Sequence, residues 1–179
     1  MSSEKTIESL QQKNDNISRE LGEKLRTCEK LEHINKMLSQ VIQVSSIPTF
    51  VIDSSHTVIL WNKALEKLTG KSEDEMLGTQ KQWMAFYNND RPVMADLIVD
   101  AAPEHEIEKN YQGKFRKALI DGGYEVEDFF PDFGENGKWL FFTAAPLFDE
   151  TGSRFGAIET LQDITTRKIS EEQLRESEA

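Results

Sequence analysis

In the stretch Ser45-Ser46-Ile47-Pro48-Thr49-Phe50-Val51-Ile52-Asp53, the hydrophobic pattern of the sequence changes from that of a helix to that of a strand. The residue before a proline is pushed out of helical geometry, so a helix that arrives at Pro48 should end near Ser45. After Pro48 the pattern predicts a strand over Phe50 to Asp53, a turn, and a second strand over Thr57 to Trp61. We therefore expect a long helix followed by a sheet domain that opens with a hairpin.

The helix before this boundary carries a heptad repeat. Residues 4–45 contain no proline and one glycine, Gly22. With Ile7 placed at position a, eight of the twelve a and d positions are apolar: Ile7, Leu10, Ile17, Leu21, Cys28, Leu31, Leu38 and Ile42. A seam sustained over about five heptads favours a dimeric coiled coil, and Asn14 at position a is a residue that fixes register in parallel dimers. The alternative is one long helix that lies on its own domain.

The residues after the hairpin have helical character. Asn62 is predicted to cap a helix over 63–68. Further helices are predicted over 93–101 and 104–120, each preceded by a proline, and Gly122-Gly123 is expected to end the second. This region is therefore a helical insert between strands.

Three more strands are predicted over 124–130, 138–148 and 154–162, followed by a charged helix that starts near Asp163. Two strands, a helical middle and three strands do not alternate as a doubly wound α/β sheet requires. The order fits an α+β class fold: a five-stranded antiparallel sheet with helices on one face, between a long N-terminal helix and a short C-terminal helix.

Composition excludes several classes of partner. The chain has 32 acidic and 21 basic residues and a net charge of −11, with no basic cluster to follow a phosphate backbone or an anionic membrane. No apolar run approaches the roughly 20 residues that span a bilayer, and the polar N-terminus is unlike a secretory signal. A single cysteine, Cys28, offers no intrachain disulfide. We expect a cytoplasmic protein that binds neither nucleic acid nor membrane.

The order of elements and five local motifs resemble the PAS domain family. The motifs are Ile47 to Asp53; Trp61-Asn62-Lys63-Ala64; Ala144-Ala145-Pro146-Leu147-Phe148-Asp149 with Gly152; Gly156-Ala157-Ile158; and Asp163-Ile164-Thr165 with Arg167-Lys168. The resemblance covers about residues 47–168, and the helical middle is longer than the family usually has. It implies a coiled-coil helix over 1–45, a PAS sensor domain over 46–165 and a signalling helix over 166–179.

The resemblance also implies a ligand cavity between the inner face of the sheet and the central helices. Because strand residues point alternately to the two faces, the candidate pocket comprises Leu140, Phe142, Ala144, Glu159 and Leu161 from the sheet, with Trp83, Tyr87, Arg91, His105 and Tyr111 from the helical middle. A buried Glu159 needs a partner, for which Arg91, His105 or a ligand are candidates. Arg91 could instead receive a ligand carboxylate. The alternative is ordinary core packing, with Glu159 at the rim or paired with a lysine.

The cofactor is left open by the sequence. His105 lies where haem-binding PAS domains place their axial histidine, so haem is one candidate. The polar first turn Pro103-Glu104-His105-Glu106 favours solvent exposure of His105 over haem ligation. Cysteinyl-flavin photochemistry needs a cysteine beside the pocket, and Cys28 on the coiled coil excludes it.

The resemblance implies a sensor rather than an enzyme. The sequence has no glycine-rich phosphate loop, and His33 lacks the acidic residue and proline that follow a phosphoacceptor histidine. We expect a homodimer, formed by the coiled coil, in which Asp163, Thr165 and Arg167 relay a signal to a downstream effector such as a histidine kinase. The alternative function is a ligand-free dimerisation spacer.

Overall fold

A computed structural model describes residues 2–177, with side chains for Ile7 and residues 10–177. The chain divides into two units, Met1–Val41 and Ile42–Ala179. The helices are α1 (Ser2–Val44), α2 (Lys63–Thr69), α3 (Glu73–Met76), α4 (Met94–Val99), α5 (Glu104–Tyr111) and α6 (Thr165–Ser177), with a 3-10 turn at Gln82–Ala85. The strands are β1 (Thr49–Asp53), β2 (Val58–Trp61), β3 (Phe115–Lys117), β4 (Tyr124–Phe130), β5 (Lys138–Phe148) and β6 (Arg154–Asp163).

Helix α1 runs without interruption through the first unit. Six of the apolar residues at its heptad positions are more than half exposed, namely Ile7, Leu10, Ile17, Leu21, Leu31 and Leu38, whereas Ile42 at the end of the helix is half-buried. Apolar side chains at this spacing remain in water until another surface covers them. The structure of a single chain does not test the coiled-coil dimer, which stays a prediction. In the described part of the chain, no helix has both the length and the apolar character that crossing a bilayer requires.

The second unit is built on one antiparallel sheet with strand order β2-β1-β6-β5-β4-β3. The predicted N-terminal hairpin pairs Phe50 with Trp61. Strand β1 also pairs with β6, so that Thr49 lies opposite Thr160. The first and last strands of the unit are therefore neighbours, and the predicted fold class is confirmed.

The prediction of five strands is wrong by one. The predicted helix over 104–120 ends at Tyr111, because Gln112 (φ 49°) and Gly113 (φ 75°) adopt left-handed backbone conformations. Residues 115–117 then form β3, which pairs with the start of β4. Gly122-Gly123 belongs to the hairpin turn between these strands and does not end a helix, since Gly123 N–H donates to Ile120 O at 2.9 Å.

The core lies between the sheet and the short helices. Along β5, Leu140, Phe142 and Ala144 are buried, whereas Trp139 and Phe141 are half-buried on the opposite face. This confirms the predicted alternation of the strand. The buried face is covered by apolar side chains of the central helices, among them Met94, Leu97, Ile107 and Tyr111.

One buried amide, that of Asn62, connects four segments of this unit. Its Oδ1 accepts hydrogen bonds from the backbone N–H of Thr49 (2.9 Å) and of Leu65 (3.0 Å), which caps α2. Its Nδ2 donates to the carbonyl oxygens of Ile42 (3.1 Å) and Ile47 (2.8 Å). The side chain thereby uses both donors and both acceptor positions that an asparagine has. It ties the end of α1, the linker, β1 and α2 together.

We predict that Asn62→Ala lowers the free energy of unfolding by about 2–4 kcal/mol, because it removes a helix cap and leaves buried backbone groups without partners. Urea unfolding followed by circular dichroism measures the change. Asn136→Ala, in an exposed turn, is the matched control and should change stability little. Equal stability of the two variants would contradict the role given to Asn62.

Candidate functional site

The helical wall and the sheet bring most of the predicted pocket residues together. The ring centroids of Tyr111 and Phe142 are 5.9 Å apart, and those of Tyr87 and Phe130 are 5.8 Å apart. Leu140, Phe142, Ala144 and Leu161 are all buried. Trp83 is half-buried and packs against the edge of this core.

Arg91 lies over the two tyrosines. Its guanidinium carbon is 4.1 Å from the ring centroid of Tyr87 and 5.4 Å from that of Tyr111, and its Nη2 donates to Asn110 O at 2.9 Å. Arg91 Nε and Tyr111 Oη are buried without a hydrogen-bond partner among the described residues. Burial raises the pKa of Tyr87 to about 12 and that of Tyr111 well above 10, so both phenols are neutral.

Glu159 is 3% exposed, and its partner differs from those predicted. Its Oε2 accepts a hydrogen bond from the backbone N–H of Ala95, at 2.9 Å, and neither Arg91 nor His105 contacts it. Burial raises its pKa to about 8; the Ala95 hydrogen bond opposes this rise and the negative charge of Asp96 adds to it. The carboxyl group is therefore predominantly protonated at neutral pH.

His105 does not belong to this cluster. It lies in the first turn of α5 and is exposed to solvent. The arrangement does not fit haem held through His105, because an axial ligand would have to project into the core. No group of three metal-ligating side chains occurs among the described residues.

A second polar cluster, formed by Asp96, Gln82 and His56, was not predicted from the sequence. Asp96 Oδ1 accepts from Gln82 Nε2 at 2.6 Å and contacts His56 Nδ1 at 2.9 Å, while Asp96 Oδ2 accepts from Val93 N–H at 3.0 Å. His56, in the turn between β1 and β2, has a side chain that is only 30% exposed, and its Nε2 also contacts Asp100 Oδ1 at 3.0 Å. The one sequence signal was the position of Asp96, three residues after Val93, where an acidic side chain reaches back to the start of a helix.

The predicted relay residues form a joint between β6 and α6. Asp163 Oδ1 accepts from Thr165 N–H (3.0 Å) and Thr165 Oγ1 (2.6 Å), and Asp163 Oδ2 accepts from Lys138 Nζ (2.7 Å). Thr165 Oγ1 in turn accepts from Trp139 N–H at 3.0 Å. Burial opposes ionisation of Asp163, but Lys138 and Thr165 outweigh it and hold its pKa below the ordinary value.

The next residues of α6 are held by a strand carboxylate. Glu127 on β4 accepts from Arg167 Nη2 at 2.8 Å and contacts Lys168 Nζ at 2.6 Å. The two cations lower the pKa of Glu127. Lys168 Nζ also lies 5.3 Å from the ring centroid of Trp139. The first turn of α6 is therefore attached to three strands of the sheet.

The chain enters the sheet beside the point where it leaves. Leu161 N–H donates to Pro48 O at 2.9 Å, directly before the Asp163 joint. A groove of about 540 Å³ lies between the linker and β6, lined in part by Ile47, Phe141 and Gln162.

The fold agrees with comparison to known proteins. A family model described as PAS domain matches residues 46–166. The chain belongs to the PAS domain family, and the resemblance found in the sequence is confirmed.

Individual relatives are distant. The PAS domain of BvgS from Bordetella pertussis is 15% identical, with a TM-score of 0.48 over 80% of this chain and 96% of that chain. An RNA-binding light-oxygen-voltage receptor is 20% identical, with a TM-score of 0.50 over 79% of this chain and 36% of that chain. Phytochrome B of Oryza sativa is 23% identical over 151 residues, which are 84% of this chain and 12% of phytochrome B. At these identities the solved structures share the fold alone.

Stability should fall as the pH rises, because Glu159 has a pKa near 4.5 when unfolded and about 8 when folded. A raised pKa contributes stability that is complete below the unfolded value and is lost as pH rises through the folded value. We predict a loss of about 4 kcal/mol between pH 5 and pH 9, measured by urea unfolding. Glu159→Gln should flatten this dependence. Glu135→Gln, in an exposed turn, should leave it unchanged, and an unchanged slope in Glu159→Gln would refute the assignment.

Proposed function

We propose that this chain is a non-catalytic PAS sensor module of the cytoplasm that transmits a signal between α1 and α6. The observation that carries the proposal is the adjacency of the two connections. Pro48, which follows α1, is bonded to Leu161, which lies two residues before Asp163 and the start of α6. A displacement at one connection is passed directly to the other, because β1 and β6 share a ladder of hydrogen bonds.

Each connection has a defined polar joint. Asn62 holds the last turn of α1 through Ile42 O, and Gln43 Nε2 adds a hydrogen bond of 2.8 Å to Glu73. On the other side, Asp163 and Thr165 hold the first turn of α6. Coupling between sites in allosteric proteins is typically about 1–3 kcal/mol, comparable to gaining or losing one or two such hydrogen bonds.

The proposed sensor is a homodimer that forms through α1. The exposed heptad residues of α1 form an apolar seam suited to the same seam on a second copy. Burying each large aliphatic side chain stabilises the pair by about 1.5–3 kcal/mol. Asn14 pairs with its counterpart only when the helices are parallel and in register, which also places Cys28 opposite its counterpart.

The ligand of this proposed sensor would bind in the core. The buried donors Arg91 Nε and Tyr111 Oη favour a small molecule with a hydrogen-bond acceptor, such as a carboxylate or carbonyl oxygen. Tyr87 offers an aromatic face beside them. A signal from the core would pass to an effector joined to α6, and a histidine kinase is the effector class that the family resemblance implies.

The packing of the core favours a second candidate function, a dimerisation spacer that binds no ligand. Phe86 and Phe133 stack with ring centroids 6.2 Å apart, and Phe130 and Phe142 meet at the same distance. These side chains fill the space that a ligand would use. Native mass spectrometry of the purified protein distinguishes the candidates, because only a ligand-binding sensor retains a small molecule.

The relay is tested by Thr165→Val, which removes the contacts of the hydroxyl to Asp163 and Trp139. Each of the two hydrogen bonds contributes about 1 kcal/mol, so the hydrogen-exchange protection of the first turn of α6 and of Trp139 N–H should fall roughly fivefold or more, while the rest of β5 is unaffected. In a fusion that joins α6 to a histidine-kinase core, the response to stimulus should be lost. Thr166→Val makes the same chemical change at an exposed neighbour and should retain the response. Retention by both variants would contradict the proposed relay.

The dimer is tested with the native cysteine. Cys28 is exposed in the single chain, and in a parallel in-register seam its sulfur meets that of the partner within disulfide range. We predict a covalent dimer after mild oxidation, detected on a non-reducing gel. Leu31→Asn, on the seam, should reduce this product, and His33→Asn, on the outer face, should not. Oxidation that leaves only monomer would contradict the parallel coiled coil.

A further inference from the structure

Both ring nitrogens of His56 contact aspartate oxygens. Nδ1 is 2.9 Å from Asp96 Oδ1 and Nε2 is 3.0 Å from Asp100 Oδ1. A neutral imidazole carries one N–H, and its other nitrogen is an acceptor that gains nothing from a carboxylate oxygen. The protonated ring donates from both nitrogens and satisfies both contacts. The geometry therefore selects the imidazolium form of His56.

We infer that His56, Asp96 and Asp100 form a proton-dependent clasp, which fixes the β1–β2 hairpin to α4 when His56 is protonated and loosens α4 when the proton is lost. This His56 clasp would make the cover of the PAS core respond to pH near neutrality. It requires neither a ligand nor a dimer, so it stands apart from the relay proposed above.

The charges around the clasp support this reading. Asp96 is 7% exposed and Asp100 lies one helical turn further along α4. Asp53, in the hairpin itself, has its Oδ1 occupied by the N–H groups of Ser55 and Thr57. Among the described residues, no lysine or arginine forms an ion pair with either aspartate of the clasp. The imidazolium therefore supplies the compensating charge.

The other groups near the clasp are neutral or act elsewhere. Gln82 donates to Asp96, Gln80 donates to Ser55 O, and Glu159 on β6 is held protonated by burial. Burial alone would lower the pKa of His56, but hydrogen bonds and charges of Asp96 and Asp100 outweigh it and raise the pKa above 6.5. Loss of the proton removes the one cation that contacts both Asp96 and Asp100.

Helix α4 depends on such attachments because it has only six residues. A helix of this length is unstable alone in water. Four groups from other elements hold it: Glu159 at Ala95 N–H, Gln82 at Asp96, His56 at Asp96 and Asp100, and Arg154 at Ile98 O. Loss of the His56 attachment leaves the other three, so α4 should open more often at high pH.

The first test is an NMR titration of His56. We expect His56 to titrate above 6.5, the ordinary pKa of a histidine. Asp100→Asn changes an exposed carboxylate (60% exposed side chain) and should lower the pKa of His56 by half a unit or more. A His56 that titrates at or below 6.5, or whose pKa is unchanged by Asp100→Asn, overturns the proposal.

The second test follows α4 itself by hydrogen exchange, corrected for the intrinsic effect of pH. Glu159→Gln serves as the background, because Glu159 titrates in the same range and lowers stability in the same direction. In this background the protection of the α4 amides should fall from pH 6 to pH 8.5, by up to about tenfold for each unit by which folding raises the His56 pKa. Adding His56→Asn, which tolerates the left-handed backbone at this position (φ 62°), should abolish the fall. A fall that survives in the double variant overturns the clasp.

Discussion

The hydrogen bonds of the Asn62 side chain are the constraint on which the second unit depends. A buried amide has no water to replace a lost partner, so its four bonds to Thr49, Leu65, Ile42 and Ile47 form or fail together. They fix where α1 ends and where β1 begins. Strand β1 then pairs on both edges, with β2 and with β6. The position of the last strand, and of the helix that leaves it, is therefore set at the beginning of the domain.

The two buried acids of the core, Asp96 and Glu159, receive different numbers of hydrogen bonds. Asp96 receives donors from three sides, Gln82, His56 and Val93 N–H. Glu159 is bonded to the single donor Ala95 N–H and feels the charge of Asp96, which raises its pKa to about 8. Burying two adjacent carboxylates is costly unless each is compensated. The fold resolves this by giving Asp96 the donors and leaving Glu159 protonated.

The features that could be predicted from the sequence are those that depend on residues close to one another in the chain. The switch at Pro48 predicted the hairpin, and the alternation of Phe142 with its neighbours predicted the inner face of the sheet. The junction with α6 at Asp163 was implied by the resemblance to the PAS domain family. Strand β3 could not be predicted, because three residues show no periodicity and their pairing depends on β4. The contacts of Glu159 with Ala95 and of His56 with Asp96 join residues 64 and 40 positions apart. No local pattern encodes such contacts.

The residue that contacts α4 and the residue that contacts α6 lie on the same strand, β6. Glu159, which holds α4, and Asp163, which holds α6, lie four residues apart on β6, a span of about 13 Å. Because strand residues alternate between the two faces of a sheet, these two residues lie on the same face. Leu161 between them is buried, and its N–H donates to Pro48 O. In the proposed relay, a movement of α4 would act on β6, the strand that carries both of these contacts. The proposed transmission needs no long pathway through the domain, because the residue that holds α4 and the residue that holds the start of α6 are on the same strand.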